Sequence, residues 1–124
     1  MQLAAIKQNG HTIEYICNPS EKMQLEAVKD GGDLIRFIHN PSEAVQLAAV
    51  KKDGFAIRYI DNPSGKVQLE AVKQDVNLIE YIHNPTKKVI RYIIENCNDD
   101  KVIQSMRIDF EKLPDDLKLR LELM

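Results

Sequence analysis

The apolar positions of this chain fall at i, i+1, i+3 and i+4 within short stretches, the spacing of one helix face rather than the alternation of a strand. The pattern returns every 22 residues. Pro19, Pro41, Pro63 and Pro85 keep that interval, as do Gln2, Gln24, Gln46 and Gln68, and Lys7, Lys29, Lys51 and Lys73. Read from its asparagine, a unit spans residues 18–39, the next 40–61 and the next 62–83. Residues 1–17 form a truncated first unit lacking the opening five positions, and a degenerate fifth begins at Asn84 and loses the pattern after Val89.

Each unit reads as two short antiparallel helices. Asn18 and Asn40 are expected as N-caps, with proline at the first helical position and Glu21 or Glu43 reaching back to the cap N–H. The first helix should run about 12 residues to Gly10, Gly32 or Gly54, where glycine permits a left-handed stop. Val76 replaces the fourth of these glycines, so that turn should differ or be strained. The second helix, Leu34-Ile35-Arg36-Phe37-Ile38-His39 in one unit, ends where the next Asn-Pro begins.

At 100° per residue, Met23, Leu25, Ala27 and Val28 share an apolar arc with Gln24 near its middle, opposite Lys22, Glu26 and Lys29. On the second helix Leu34, Ile35, Phe37 and Ile38 face one way, while Arg36 and His39 point away. One unit cannot bury both arcs, but a stack of units can. The expected fold is therefore all-α, an α-solenoid of about five short helix-turn-helix repeats. Residues 1–124 form a single domain in which 1–94 hold the repeats and 95–124 a helical C-terminal cap. A leucine-rich repeat has a similar period but needs strand alternation, which is absent.

The ends depart from the pattern. With no cap before the first unit, Leu3, Ile6 and Ile13 should be partly exposed, inviting homo-oligomerisation or marking the chain as a piece of something longer. In the tail, helices should start at Asn84-Pro85-Thr86, at Asn98-Asp99-Asp100 and at Pro114-Asp115-Asp116. Leu117, Leu119, Leu121 and Leu123 nevertheless alternate with the period of a strand, so helix is favoured there and strand stays open.

Charge narrows the partner class. Residues 1–94 carry 12 basic and 11 acidic side chains and residues 95–124 carry 5 and 8, so the net charge of −2 belongs to the tail. No apolar run approaches the roughly 18 residues of a membrane span, and no signal peptide is evident, so a cytoplasmic protein without a membrane partner is expected. Cys17 and Cys97 form no local motif and read as reduced thiols.

The strings Val-Gln-Leu-Ala-Ala-Val-Lys (45–51) and Val-Gln-Leu-Glu-Ala-Val-Lys (67–73), with Ile-Arg-Tyr-Ile (57–60), carry a resemblance. They resemble a family of short α-helical repeats of unknown function in bacterial and bacteriophage proteins, over residues 1 to about 90. The resemblance implies a helical stack and a bacterial or phage origin, with no activity or catalytic residue to carry over.

Gln2, Gln24, Gln46 and Gln68 are polar in the middle of an apolar arc. A buried amide without partners costs about 1–3 kcal/mol, so a hydrogen-bonded structural ladder is expected, with a ligand-binding row of amides as the competing reading. Cys17, His39, Asp61 and His83 are all metal-ligand types in one row. Neighbouring units lie about 8–10 Å apart, however, too far for one ion. There is no phosphate loop, no His-Glu-x-x-His, no CxxC and no glycine-flanked serine, so neither an enzyme nor a cofactor is expected.

The lysine stripe would suit nucleic-acid phosphates, but the near-neutral repeats and Glu26 and Glu70 oppose this. Tyr15, Phe37, Tyr59 and Tyr81 are assigned to core packing. The preferred expectation is a non-catalytic protein-interaction module, which could be a phage or bacterial protein that blocks a host factor such as a defence component. A nucleic-acid-binding repeat and a self-assembling subunit are the alternatives. The exposed row Glu14, Arg36, Arg58 and Glu80, with His39, Asp61 and His83 beside it, forms the candidate partner surface. Phe55, just after Gly54, is either a hot spot of that surface or folded onto its own helix.

Overall fold

A computed structural model describes residues 2–97, 101–102 and 113–122. All regular structure among them is helical. Five α-helices, α1 (Gln2–Gln8), α2 (Glu21–Asp30), α3 (Glu43–Lys52), α4 (Gly65–Gln74) and α5 (Lys87–Asn96), alternate with four 3-10 helices, η1 (Gly10–Tyr15), η2 (Gly32–Phe37), η3 (Gly54–Tyr59) and η4 (Val76–Tyr81). A final helix, α6 (Asp115–Glu122), packs on α5. Each of α1 to α4 contacts the next α-helix, and each 3-10 helix contacts the next 3-10 helix. At 10 residues or fewer, α1 to α5 are shorter than the roughly 12–15 that hold alone in water. Packing therefore maintains them. Ala27, Val28, Ile35, Val45, Ala49, Val50, Ile57, Val67, Ala71, Val72, Ile79, Val89 and Ile93 are all at most 1% exposed.

The helix starts differ from the expected caps. The N-caps of α2 to α5 are Ser20, Ser42, Ser64 and Thr86, whose hydroxyls accept from the backbone N–H three residues on, at 3.2–3.4 Å. Glu21 and Glu43 are first helical residues, too close to their caps to close a capping box. Asn18, Asn40 and Asn62 instead hold φ of 54°, 50° and 51°. Asparagine enters this left-handed region at lower cost than most residues, and the following proline disfavours the right-handed one. Asn-Pro is thus the turn between units, and the hydroxyl after it starts the helix.

The glycines also serve a different purpose. No glycine has positive φ. The residues closing α2 to α4, Gly31, Asp53 and Asp75, are extended, with φ between −156° and −150°. Val76 accordingly sits in a turn like the others and packs against the core without strain. Glycine is needed for close approach: a Cβ on Gly32 would lie 2.3 Å from the Ala49 carbonyl oxygen of the next unit. The N–H of Gly10 likewise donates to Asp30 Oδ2 of the next unit at 2.8 Å.

The second helix of each unit is a six-residue 3-10 helix, longer than the three or four residues usual for this conformation. It persists because Leu34 and Ile35, and their counterparts Ala56 and Ile57 or Leu78 and Ile79, are buried. In three of the four units a side chain caps it: Asn9, Asp53 and Asp75 accept from His11, Phe55 and Asn77 N–H at 3.0 Å. Gly31 has no side chain to do so. Gly31→Asn is expected to raise stability by a few tenths of a kcal/mol, the difference between glycine and asparagine at an N-cap, with a matching rise in the urea midpoint. An unchanged midpoint would show that the cap adds nothing here.

At the N-terminal end, Ile6 and Ile13 are each 1% exposed and Leu3 is half-buried, so the anticipated apolar edge is largely closed. Tyr15, assigned to packing, is instead 83% exposed. At the other end, Arg91 donates to Asp116 Oδ2 at 2.8 Å, and Leu113 is buried. The 115–122 segment is helix despite its alternating leucines; its own acidic first turn after Pro114 suits a helix start. The start expected at Asn98-Asp99-Asp100 lies outside the described residues, as does Leu123.

Candidate functional site

The 3-10 conformation decides what the exposed face looks like. With three residues per turn, side chains at i and i+3 eclipse. Phe55 therefore stands over Arg58, Asp33 over Arg36, Asn77 over Glu80 and His11 over Glu14. In an α-helix the same pairs would share a face but stand about 60° apart.

Two guanidinium groups dominate this face. Arg36 lies over the Phe37 ring, 4.7 Å from its centroid, and Arg58 lies over Tyr59 at 4.8 Å. Arg58 also approaches Phe55 at 6.0 Å, and Phe55 meets Tyr81 of the following unit edge-to-face at 6.3 Å. Phe55 is thus neither folded onto its own helix alone nor a free hot spot; at 45% exposure it ties two units together and flanks Arg58. Among the described residues neither Arg36 nor Arg58 makes an ion pair, whereas Arg91 reaches both Glu95 and Asp116. Each guanidinium thus lies close to a ring, and among the described residues neither donates a side-chain hydrogen bond. Glu80 raises the pKa of the adjacent Tyr81 phenol above its ordinary value, by hydrogen bonding first and by charge second. Burial adds to the rise and Arg58 opposes it.

Each arginine lines a cleft between consecutive units. One, of about 360 Å³, is bordered by Arg36, His39, Asn40, Gln46, Tyr59 and Asp61. The next, of about 570 Å³, is bordered by Arg58, Asp61, Asn62, Gln68, Tyr81 and His83. Ile60 and Asp61 belong to both, so the clefts share a wall and form one groove. Asn40 and Asn62 are exposed residues that line it, and their side chains make no hydrogen bond among the described residues. Of the candidate partner residues, Arg36, His39, Arg58, Asp61 and His83 meet in this groove. Glu80 stands beside it next to Tyr81, and Glu14, though exposed, lines neither cleft. The aromatic platforms Phe37, Tyr59 and Tyr81 and the carboxamides of Asn40 and Asn62 escaped sequence reasoning. Their signal was the Arg-aromatic pair recurring at 36–37 and 58–59, one period apart.

The glutamines sit beneath the groove. Gln24, Gln46 and Gln68 each donate from Nε2 to the carbonyl of their unit's proline, Pro19, Pro41 and Pro63, at 3.0 Å. Gln68, only 4% exposed, also donates to the Asn84 carbonyl at 3.2 Å and accepts from Thr86 N–H at 2.9 Å, bridging to the next unit. Gln2 is exposed and has no such proline before it.

The lysines lie elsewhere. Lys7, Lys29, Lys51 and Lys73 are exposed on the α-helices, Lys29 is 3.7 Å from Glu26, and none of the four lines either cleft. Among the described residues no group of three or more His, Cys, Asp or Glu could hold a metal ion, and Cys17 and Cys97 are free thiols. No helix among them is long and apolar enough to cross a membrane. No protein-family model matches the chain, and neither a curated protein nor a solved structure matches it.

Proposed function

We propose that this chain is a non-catalytic protein-interaction module, an α-solenoid that engages a partner protein along its arginine-lined groove. The observation that carries this reading is the pair Arg36 and Arg58: set over rings, exposed, without acidic partners among the described residues, and equivalent in successive units. Arg91 finds carboxylates within the chain; an exposed arginine set over a ring and left unpaired can take one from outside. The resemblance of the repeat strings to phage and bacterial helical repeats extends the proposal to a protein that occupies a surface of a host factor.

The test is capture from a bacterial lysate with the wild-type chain and with the Arg36→Glu/Arg58→Glu double variant as baits, with and without nuclease. A protein retained by the wild type after nuclease, and lost with the double variant at unchanged helicity, is the expected result. Capture that disappears with nuclease would replace this reading with nucleic-acid binding. Equal capture by both baits would remove the groove from it.

A further inference from the structure

Resting on that reading, we infer that the partner presents an acidic segment in an extended, polyproline-II-like conformation, with carboxylates three residues apart seated on Arg36 and Arg58. Three features lead there. A guanidinium stacked on a ring exposes a planar fork of N–H donors, and a carboxylate matches that fork with two parallel bonds. Both arginines lie over rings in this way, so the site offers two such forks rather than one.

The second feature is the pair of carboxamides. Asn40 lines the first cleft and Asn62, together with Asn84, the second, and neither Asn40 nor Asn62 spends its side-chain donor or acceptor on another described residue. A polyproline-II segment has no internal hydrogen bonds, so its N–H and C=O groups are free to use such carboxamides. A helical partner has already satisfied its own backbone and would leave them idle.

Spacing is the third. Adjacent units should repeat at about 8–10 Å, as packed helices do. Polyproline II turns once in three residues and advances about 9 Å, which returns a side chain to the same face at that interval.

Phosphate could also fill a guanidinium fork, but a nucleic-acid strand carries charge continuously. The groove does not. Asp61 stands in the wall between the two arginine clefts and Glu80 lies beside Tyr81, while the lysines are on the α-helices. A peptide passes Asp61 with an uncharged residue; a phosphate backbone cannot.

Fluorescence anisotropy on the full chain tests this with four labelled probes. One is a proline-rich peptide with aspartate at every third position. The second has the same composition with the aspartates adjacent, the third has asparagine for aspartate, and the fourth is an oligothymidylate of equal charge. The spaced peptide should bind about tenfold more tightly than either other peptide. Arg36→Gln and Arg58→Gln should each weaken it about threefold to tenfold, Asn62→Ala should weaken it too, and Lys51→Gln should leave it unchanged. Equal binding of the three peptides, or tighter binding of the oligothymidylate, overturns the inference. If lysate capture depends on Arg36 and Arg58 while the spaced peptide fails to bind, the acidic-segment inference fails alone. If capture is also indifferent to those arginines, the groove is removed from the interaction reading as well.

Discussion

Gly32→Ala is expected to destabilise the fold by about 3 kcal/mol, the upper range for forcing one methyl into a packed interior. The reason is what the methyl meets. Its ideal position lies 2.3 Å from the Ala49 carbonyl oxygen and 3.1 Å from the Asp53 backbone nitrogen. Those are main-chain atoms where α3 ends, so one unit would have to move away from the next. Gly31→Ala is the matched control: the added methyl meets the Asp33 carboxylate at 2.9 Å, a side-chain tip that can rotate away. Its φ of −156° suits any residue. That variant should stay within about 0.5 kcal/mol of the wild type. Urea unfolding of the pair checks the account of the glycines, and equal losses in both variants would contradict it.

The glutamine ladder should show a gradient along the chain. Gln68→Leu keeps the volume but strands the Pro63 and Asn84 carbonyls and the Thr86 N–H in a place where the side chain is 4% exposed. With each buried unsatisfied group costing about 1–3 kcal/mol, and leucine returning part of this by apolar burial, a net loss of about 3 kcal/mol is expected. Gln24→Leu and Gln46→Leu orphan a single carbonyl in half-buried surroundings and should cost about 1 kcal/mol. Gln2→Leu should cost nothing measurable, since Gln2 is exposed. Thermal melts of the four variants read the order directly. A flat series would mean that the amides contribute nothing to stability and would reopen their role as a ligand row.

The helical class, the period and the buried arcs were legible in the sequence because repetition averages out local ambiguity. A pattern met four times in register leaves little freedom for the apolar face. The details that were misread share one cause: single residues with two physical uses. Asparagine before proline is both a good N-cap and a good left-handed residue, and the serine two positions later competes for the cap. Glycine at a helix end serves either a positive φ or a close approach, and only the position of Ala49 tells which applies at Gly32. Tyr15 looked like core because its counterparts Phe37, Tyr59 and Tyr81 do pack, half-buried, against the core, whereas in the first unit that position is 83% exposed.

The candidate groove shows the same limit. Arg36, Arg58, His39, Asp61 and His83 were recognisable as an exposed row. Their partners Phe37 and Tyr59 were not, because stacking of a guanidinium on the adjacent residue's ring depends on backbone winding rather than on composition. Sequence pattern could name the charged positions but could not say that the charges were unpaired. That property comes from the places where Glu80 and Asp61 do not reach.

The most direct test of the account is a paired measurement on two variants, because it claims that stability and binding reside in different layers of the molecule. Arg36→Glu/Arg58→Glu and Gly32→Ala, whose residue lines neither cleft, are each melted by circular dichroism and each used as lysate bait at a temperature where both are folded. The account predicts a crossed result: the charge reversal melts with the wild type but captures no nuclease-resistant partner, and Gly32→Ala melts early yet captures it. If the charge reversal retains the partner, or if Gly32→Ala loses it while still folded, the groove is not where this protein binds.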